Sequence, residues 1–259
     1  MRMNNESKIA AWICDTINRF EKINLEDLSE GAQMERIDRK YPFHITKLPQ
    51  VLMGLEKYYK IVNAFGKTIS PYDTLYLDTP DLNFYHIHHN GILHRDKVRF
   101  RSYPHTQTTF LEVKRKSNKS RTAKWRIPVE GIRFPLTDSD KIFLKDHLSA
   151  NVVNDLKPSV RVKYYRMAFN SDTEEERFSI DFEITATRDQ QKSNFGNVAI
   201  LEVKQDHMHT SPIINQMRKL GIGEGGMSKY CIHLALLEKK LKSNLFKPAI
   251  RSLKKIKHE

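Results

Sequence analysis

Charged residues in several strand-like segments alternate with apolar ones, and most of the charges are positive. In the segment KVRFRSY, Lys97, Arg99 and Arg101 fall on one side of a predicted strand, and Val98 and Phe100 fall on the other. The same alternation groups Arg36, Asp38 and Lys40; Glu112, Lys114 and Lys116; Lys124 and Arg126; Arg177, Ser179, Asp181 and Glu183; and Glu202 and Lys204. The sequence therefore predicts strands that each have one charged and one apolar face.

A shorter pattern recurs within three of these segments. An acid is followed two residues later by lysine in Asp38-x-Lys40, Glu112-x-Lys114 and Glu202-x-Lys204. The two-residue period of a strand puts both members of each pair on the same face. Carboxylate oxygens bind Mg²⁺ or Mn²⁺, and lysine binds phosphate. The pattern thus predicts a site for a metal ion and a phosphate chain.

Two arrangements of these strands are consistent with the pattern. In the first, the charged faces are the solvated faces of an open sheet. In the second, the apolar faces pack against helices, and the charged faces look at one another inside a barrel. So many like charges would repel in a dry interior, unless the interior is wet or holds a polyanion such as a phosphate chain. We expect the second arrangement: an α+β fold with a closed antiparallel β-barrel of about eight strands, a tunnel with a basic lumen, and helices packed outside.

The composition limits the class of protein. The 259 residues include 44 Lys and Arg against 31 Asp and Glu, a net charge of +13. Two cysteines, Cys14 and Cys231, cannot build a disulfide framework, and neither lies in a zinc-binding cluster. No apolar run approaches the roughly 20 residues that span a bilayer, and the first ten residues lack a signal-peptide core. We therefore expect a soluble cytoplasmic protein.

The remaining pattern predicts helices between the strands. Ile9, Ile13 and Ile17 recur at helical spacing within residues 5–30. Further helices are predicted over 46–60, 80–90, 138–155, 211–220 and 228–237, and strands over 34–44, 73–78, 97–103, 108–116, 121–129, 159–169, 176–187 and 197–205. This gives an N-terminal helix (1–30), a tunnel domain (31–238) and a basic helical tail (239–259).

The tail holds eight Lys and Arg residues and a single acid, Glu259. One interpretation is a solvated basic face on a terminal helix. The other is a surface that binds anions or a membrane, through which the protein would dock onto a membrane protein at the inner face of the membrane.

These segments resemble a known superfamily, the triphosphate tunnel metalloenzymes. Their first-strand motif ExExK corresponds here to residues 36–40, where Arg36 replaces the first acid and Asp38 the second. This departs from the CYTH-type triphosphatases and is closer to the VTC domain, the polyphosphate polymerase of the vacuolar transporter chaperone complex. VTC-like segments span about residues 34–235 and include TLYLDTPDLNFY (74–85), KVRFRSY (97–103), LEVKRKSNKSRTAKWRIPV (111–129), YYRMAF (164–169), RFSID (177–181), LEVK (201–204) and SKY (228–230).

The resemblance implies a role for each matching residue. The basic residues of the tunnel, which handle the phosphates during catalysis, would be Lys40, Arg99, Arg101, Lys114, Lys124, Arg166, Arg177 and Lys229. Tyr164 and Ser228 would contact phosphate, and Glu202 would hold Mn²⁺ or Mg²⁺. The strand pattern adds Lys204, Arg126 and Asp38 as candidates. Gly226 stands where the family has a second lysine, which weakens one end of the phosphate path.

The activity implied is transfer of the terminal phosphoryl group of ATP to a growing polyphosphate chain. One alternative is hydrolysis of triphosphate, with metal held by acids such as Asp38, Glu112, Asp181, Glu183 and Glu202. Another is a catalytically silent module that binds polyphosphate. The basic composition alone suggests nucleic acid, but no nucleic-acid motif is present, so we expect no specific nucleic-acid partner. The histidines of residues 86–94 are explained by a metal cluster or by local hydrogen bonds.

Overall fold

The computed structural model describes residues 13–28, 37–117, 122–171 and 176–258. Its strands are β1 (Lys22–Asn24), β2 (Ile37–His44), β3 (Tyr59–Asn63), β4 (Ser70–Asp78), β5 (Arg95–Tyr103), β6 (Thr108–Lys116), β7 (Thr122–Val129), β8 (Lys157–Ser171), β9 (Glu176–Arg188), β10 (Gln191–Asn194) and β11 (Val198–Gln205). Its helices are α1 (13–17), α2 (Leu48–Leu52), α3 (Asn83–His89), α4 (Asp138–Lys145), α5 (Ala150–Asp155), α6 (Pro212–Lys219), α7 (Lys229–Leu237) and α8 (Lys247–Lys257).

The strands form one large sheet in the order β2-β11-β9-β8-β4-β5-β6-β7. Neighbours along this path pair antiparallel. Outside it, β10 pairs with β9, β3 pairs with β8, and β1 pairs in parallel with β3. The fold class is therefore α+β with a large antiparallel sheet, as the alternating pattern predicts.

The sheet is strongly curled. In a flat sheet, six strand spacings of about 4.8 Å would hold β2 and β6 roughly 29 Å apart. Instead, Nζ of Lys114 on β6 lies 3.7 Å from Oδ2 of Asp38 on β2. The charged faces of distant strands thus look at one another across a concave surface, which we call the concave face.

The expectation of a closed barrel is wrong. Strands β2 and β7 are the two ends of the path, and no ladder joins them within the part of the chain that the structure describes. The alternating pattern predicts which side chains share a face, but closure depends on a pairing between edge strands that the pattern does not specify.

The outer, convex face carries most of the apolar core. At one end of the path, Val98, Phe100 and Leu111 pack with Leu144 of α4 and Val153 of α5. At the other end, the strand residues Phe178, Ile180, Leu201 and Val203 pack with Ile13 and Ile17 of α1, Leu48 and Val51 of α2 and Ile213 and Met217 of α6. These helices lie outside the sheet, as predicted.

Helix α7 departs from that expectation, because it lies against one end of the concave face. Its Cys231 and Leu234 are buried with Tyr76, Val160 and Ile200 of the sheet. Asp78 at the end of β4 fixes this position. Its carboxylate accepts hydrogen bonds from the backbone N–H groups of Phe84 and Tyr85 in α3 and from the hydroxyl of Tyr230 in α7.

Three predicted helices are shorter than expected. In residues 5–30, the described part is helical only over 13–17, and Lys22–Asn24 forms a strand. The helix predicted over 46–60 stops at Leu52, because the chain turns at Gly54, which has a φ of 77°. The helix over 138–155 is divided into α4 and α5.

The basic tail is folded onto the body of the molecule. Leu253 and Ile256 of α8 are buried in the cluster that contains α7. Tyr85 and His89 of α3 hold the preceding segment, since the Tyr85 hydroxyl donates to the carbonyl of Lys242 and His89 Nε2 accepts from the backbone N–H of Leu245. Among the described residues, no helix is long and apolar enough to cross a membrane.

Candidate functional site

The structure places the predicted binding residues along the concave face. Strand register connects them, since Lys40 pairs with Glu202, Lys204 with Arg177, and Lys114 with both Lys97 and Lys124. The full set is Lys40 on β2, Arg99 and Arg101 on β5, Lys114 on β6, Lys124 and Arg126 on β7, Tyr164 and Arg166 on β8, Arg177 on β9, Glu202 and Lys204 on β11, and Ser228 and Lys229 at the start of α7. Arg36 lies outside the described residues.

Glu112 is the counter-ion of two of these cations. Its carboxylate is fully buried, and its oxygens lie 2.7 Å from Nη2 of Arg99 and 2.7 Å from Nζ of Lys124. Burial would raise the pKa of Glu112, but Arg99 and Arg101 outweigh burial and hold the pKa far below its usual range. The carboxylate is therefore ionised, and it fixes one cation of β5 and one cation of β7 in place.

Asp181 has the same role on the other half of the sheet. It accepts two hydrogen bonds from the guanidinium of Arg166, at 2.6 and 2.7 Å, and a third from Nζ of Lys229. Burial would raise its pKa, but these two cations outweigh burial and lower it. The ring of Tyr164 lies against both cations, 5.5 Å from Arg166 and 4.9 Å from Lys229.

Glu202 is held more loosely. One of its oxygens lies 3.3 Å from Nζ of Lys40, and the other lies 3.8 Å from Nη2 of Arg166. Burial would raise the pKa of Glu202, but Lys40 and Lys204 outweigh burial and hold it well below the usual range. Burial would lower the pKa of Lys40, but Glu202 and Asp38 outweigh burial and raise it. The pair is thus fully charged.

Arg101 has an unused hydrogen-bond donor. Its guanidinium lies 5.6 Å from the ring centre of Tyr72, and its buried Nε has no acceptor among the described residues. The hydroxyls of Thr74 and Ser179, on the same face, are also buried without a partner in the described chain. Buried polar groups normally have partners, so these atoms are available to a polar ligand or to water on the concave face.

Lys114 lies between the two ends of the curled sheet. Burial lowers its pKa to about 8, although Asp38 and Glu202 act in the opposite direction. On β7, Arg126 stacks over Phe110 at 4.6 Å. This edge of the concave face therefore carries cations whose charges are only partly balanced.

The sequence pattern does not indicate which acids already form ion pairs with cations of the site. Glu112 and Asp181 fall on the predicted face, but nothing in the sequence indicates that each is a counter-ion shared by two cations. Glu183 was expected on this face and is not part of it. It is exposed at a bulge with a φ of 50°, which interrupts the two-residue alternation.

Two histidines of residues 86–94, His88 and His89, act in packing. His89 is buried and binds the segment before α8, and the ring of His88 packs edge-on against Phe246. In the described ranges, the group whose spacing could fit a metal ion lies elsewhere, at Asp206, His207 and His209 after β11.

Three solved structures have a similar arrangement of chain. A putative adenylate cyclase from Bacillus halodurans is 12% identical, and the match covers 75% of this chain and 96% of that one, with a TM-score of 0.46. A putative adenylyl cyclase from Hippeastrum, described as having a dominant triphosphatase activity, is 12% identical over 81% and 99%, with a TM-score of 0.43. The PH1012 protein of Pyrococcus horikoshii is 14% identical over 76% and 99%, with a TM-score of 0.42.

No curated protein matches the chain. The sequence profile of the VTC domain, in contrast, matches residues 35–238. That range contains β2 to β11 and α2 to α7, and therefore the whole concave face. The chain belongs to the VTC domain family.

Proposed function

We propose that the protein is a metal-dependent polyphosphate polymerase that transfers the terminal phosphoryl group of ATP to a polyphosphate chain. The observation that carries this proposal is the convergence of lysines and arginines on a concave face that also holds the unpartnered Nε of Arg101. A phosphate chain supplies regularly spaced negative charges and acceptor oxygens for such a surface. Membership of the VTC domain family favours the same substrates.

The reaction needs alignment and charge neutralisation more than covalent help from the protein. A terminal oxygen of the acceptor chain attacks the γ-phosphorus of ATP, the new O–P bond forms, and the bond to ADP breaks. Arg99 and Arg166, fixed by Glu112 and Asp181, would hold donor and acceptor phosphates without having to reorganise. No side chain has to act as a nucleophile.

Glu202 is the residue that fits a divalent cation. It is ionised, and its contacts with Lys40 and Arg166, at 3.3 and 3.8 Å, are longer than normal hydrogen bonds. Mg²⁺ and Mn²⁺ prefer oxygen ligands, and Mg²⁺ is commonly bound by one or two carboxylates together with substrate phosphates. A cation bound there would neutralise negative charge on the phosphate oxygens.

The acids that already form ion pairs with cations of the site favour phosphoryl transfer over hydrolysis of triphosphate. A triphosphatase of the CYTH type would use several acids to hold metal, but Glu112 and Asp181 are already occupied by cations. Removing either from its partners would leave buried charges uncompensated. The test below distinguishes transfer from the two alternatives, which are hydrolysis of triphosphate and binding of polyphosphate without turnover.

We also propose a cytoplasmic location and a partner at the membrane for the surface of α8. Lys247, Arg251, Lys254 and Lys255 are exposed there, while the apolar side of the helix is buried. This surface can attract an acidic partner electrostatically, but it has no free apolar stripe to insert into lipid.

Incubation with ATP and Mn²⁺, followed by a gel stained for long polyphosphate, tests the function. We expect a ladder of polymer from the wild-type protein. Glu202→Gln should abolish it, since the variant loses the charge that holds the cation, while the free energy of unfolding changes only modestly. Glu130→Gln, at an exposed acid after β7, is the matched control and should retain polymer synthesis.

The other outcomes discriminate between functions. Free phosphate released from tripolyphosphate without polymer would make the protein a hydrolase. Stabilisation by tripolyphosphate without turnover would make it a binding module. Wild-type synthesis by Glu202→Gln would reject the metal assignment.

A further inference from the structure

A second group of cations lies at the end of the concave face next to α7, and the family resemblance gives none of these cations a role. Arg95 and Lys97 continue the row of Arg99 and Arg101 along β5. In register, Arg95 faces Lys116 and Lys97 faces Lys114 on β6. The alternation of both strands therefore directs Arg95, Lys97 and Lys116 to the concave face.

Lys97 is largely buried and lacks an acidic partner. Its Nζ donates to Oγ of Ser228 at 3.3 Å, and no carboxylate within the described ranges pairs with it. Ser228 precedes the first turn of α7, and its Oγ also accepts from the backbone N–H of Cys231. A buried ammonium whose hydrogen-bond partner is a neutral hydroxyl is costly unless an anion joins it.

The charged side chains nearest to Lys97 are mostly cations. Burial lowers its pKa to about 8; the neighbouring Cys231 acts in the opposite direction, and Lys40, Arg99 and Arg95 act in the same direction as burial. His88 of α3 lies beside this group. Burial, followed by the charges of Lys97 and Arg95, lowers the pKa of His88 to about 2, so its imidazole is neutral. The buried Nδ1 of His88 has no hydrogen-bond partner in the described part of the chain.

We propose that Lys97, with Arg95, Lys116 and the hydroxyl of Ser228, forms an additional phosphate subsite at the α7 end of the concave face. Its ligand is a phosphate unit of an inorganic polyphosphate chain longer than triphosphate, whose other units lie against Arg99, Arg101 and Lys114. The subsite rests on the proposed function, and it makes affinity depend on chain length. Through its contact with Ser228, Lys97 also brings a cation to a residue that lies two positions after Gly226, where the family has a second lysine.

Chain-length dependence of binding tests the subsite. Tripolyphosphate and a longer polyphosphate are titrated into the wild-type protein, Lys97→Met and Lys97→Arg by calorimetry, without ATP. We expect the wild type to bind the longer chain more tightly. Lys97→Met should weaken binding of the longer chain by about ten- to a hundredfold, the worth of a charged hydrogen bond, and change tripolyphosphate binding much less. Lys97→Arg should restore the preference.

Thermal unfolding without ligand provides the second readout. Because Lys97→Met removes a buried charge without an acidic partner, its melting temperature should equal or exceed that of the wild type. A lower melting temperature would make Lys97 a structural residue. Lys192→Met, at an exposed position on β10, is the matched control and should alter neither readout.

Failure of the subsite and failure of the polymerase are distinguishable. Equal loss of affinity for both chains in Lys97→Met, or no loss for either, overturns the subsite even if the wild type makes polymer from ATP. If the wild type makes no polymer, but its preference for the longer chain is absent in Lys97→Met, the subsite stands and the polymerase proposal falls.

Discussion

The buried acids of the concave face position its cations. Glu112 holds Arg99 and Lys124, and Asp181 holds Arg166 and Lys229, each across two elements of the fold. An arginine or lysine held by a buried acid loses little further conformational freedom when a ligand binds. The positive charges of Lys97, Lys114 and Arg101 are less fully balanced by acids. The positions of these side chains should therefore change most when a phosphate binds.

Phosphate binding should weaken as the pH rises through about 8. Burial lowers the pKa of both Lys97 and Lys114 to about 8, so each loses its proton above that value in the free protein. A phosphate chain binds the protonated forms, so the contribution of these two lysines to its affinity must fall with pH. Calorimetry of the binding of a polyphosphate longer than triphosphate at pH 7 and pH 9, without divalent metal, measures the change.

The Lys114→Met variant tests the cause. It should bind the same polyphosphate more weakly at pH 7 and show a smaller loss between pH 7 and 9, whereas Lys192→Met should keep the wild-type profile. An unchanged pH profile in Lys114→Met would contradict the assignment. For the ligand-free fold the sign is opposite: the unfolded chain binds these protons more tightly, so both groups make stability rise between pH 8 and the ordinary lysine pKa.

At the scale of elements, the long strands are predictable from the sequence because each has one apolar face. Strands β5, β6, β9 and β11 lie within a few residues of their predicted ranges. Short helices are less predictable, since Gly54 ends the helix predicted over 46–60 and the following residues pair as β3. The position of α7 on the concave side depends on Asp78 and Tyr230, which are far apart in sequence.

Helix α8 is expected to be part of the stable fold. Leu253 is buried, with 5% of its surface exposed, in the cluster that includes α7. Leu253→Ala should therefore lower the free energy of unfolding by about 2 to 3 kcal/mol, as for other buried leucines. Urea denaturation measures this change.

Leu245 provides the control for this variant, because it precedes α8 and is 58% exposed. Leu245→Ala should change stability by less than about 0.5 kcal/mol. Equal stabilities of the two variants would mean that α8 does not pack on the body in solution, and the tail would then be free to dock elsewhere.

At the scale of the whole molecule, curvature brings the site together. Lys114 and Asp38 come within 3.7 Å although their strands are six places apart in the sheet. The sequence predicts which residues share the charged face, but it does not specify the curl, the unpaired edges at β2 and β7, or the acids engaged as counter-ions. Those features depend on contacts between residues separated by tens of positions, for which the local pattern carries no signal.

An experimental structure with bound tripolyphosphate tests the central claim most directly. The account predicts a phosphate chain on the concave face, with its oxygens within hydrogen-bond distance of Arg99, Arg101 and Lys114. A chain bound instead along the exposed lysines of α8, with the concave side chains keeping only their contacts to Glu112, Asp181 and Asp38, would contradict it.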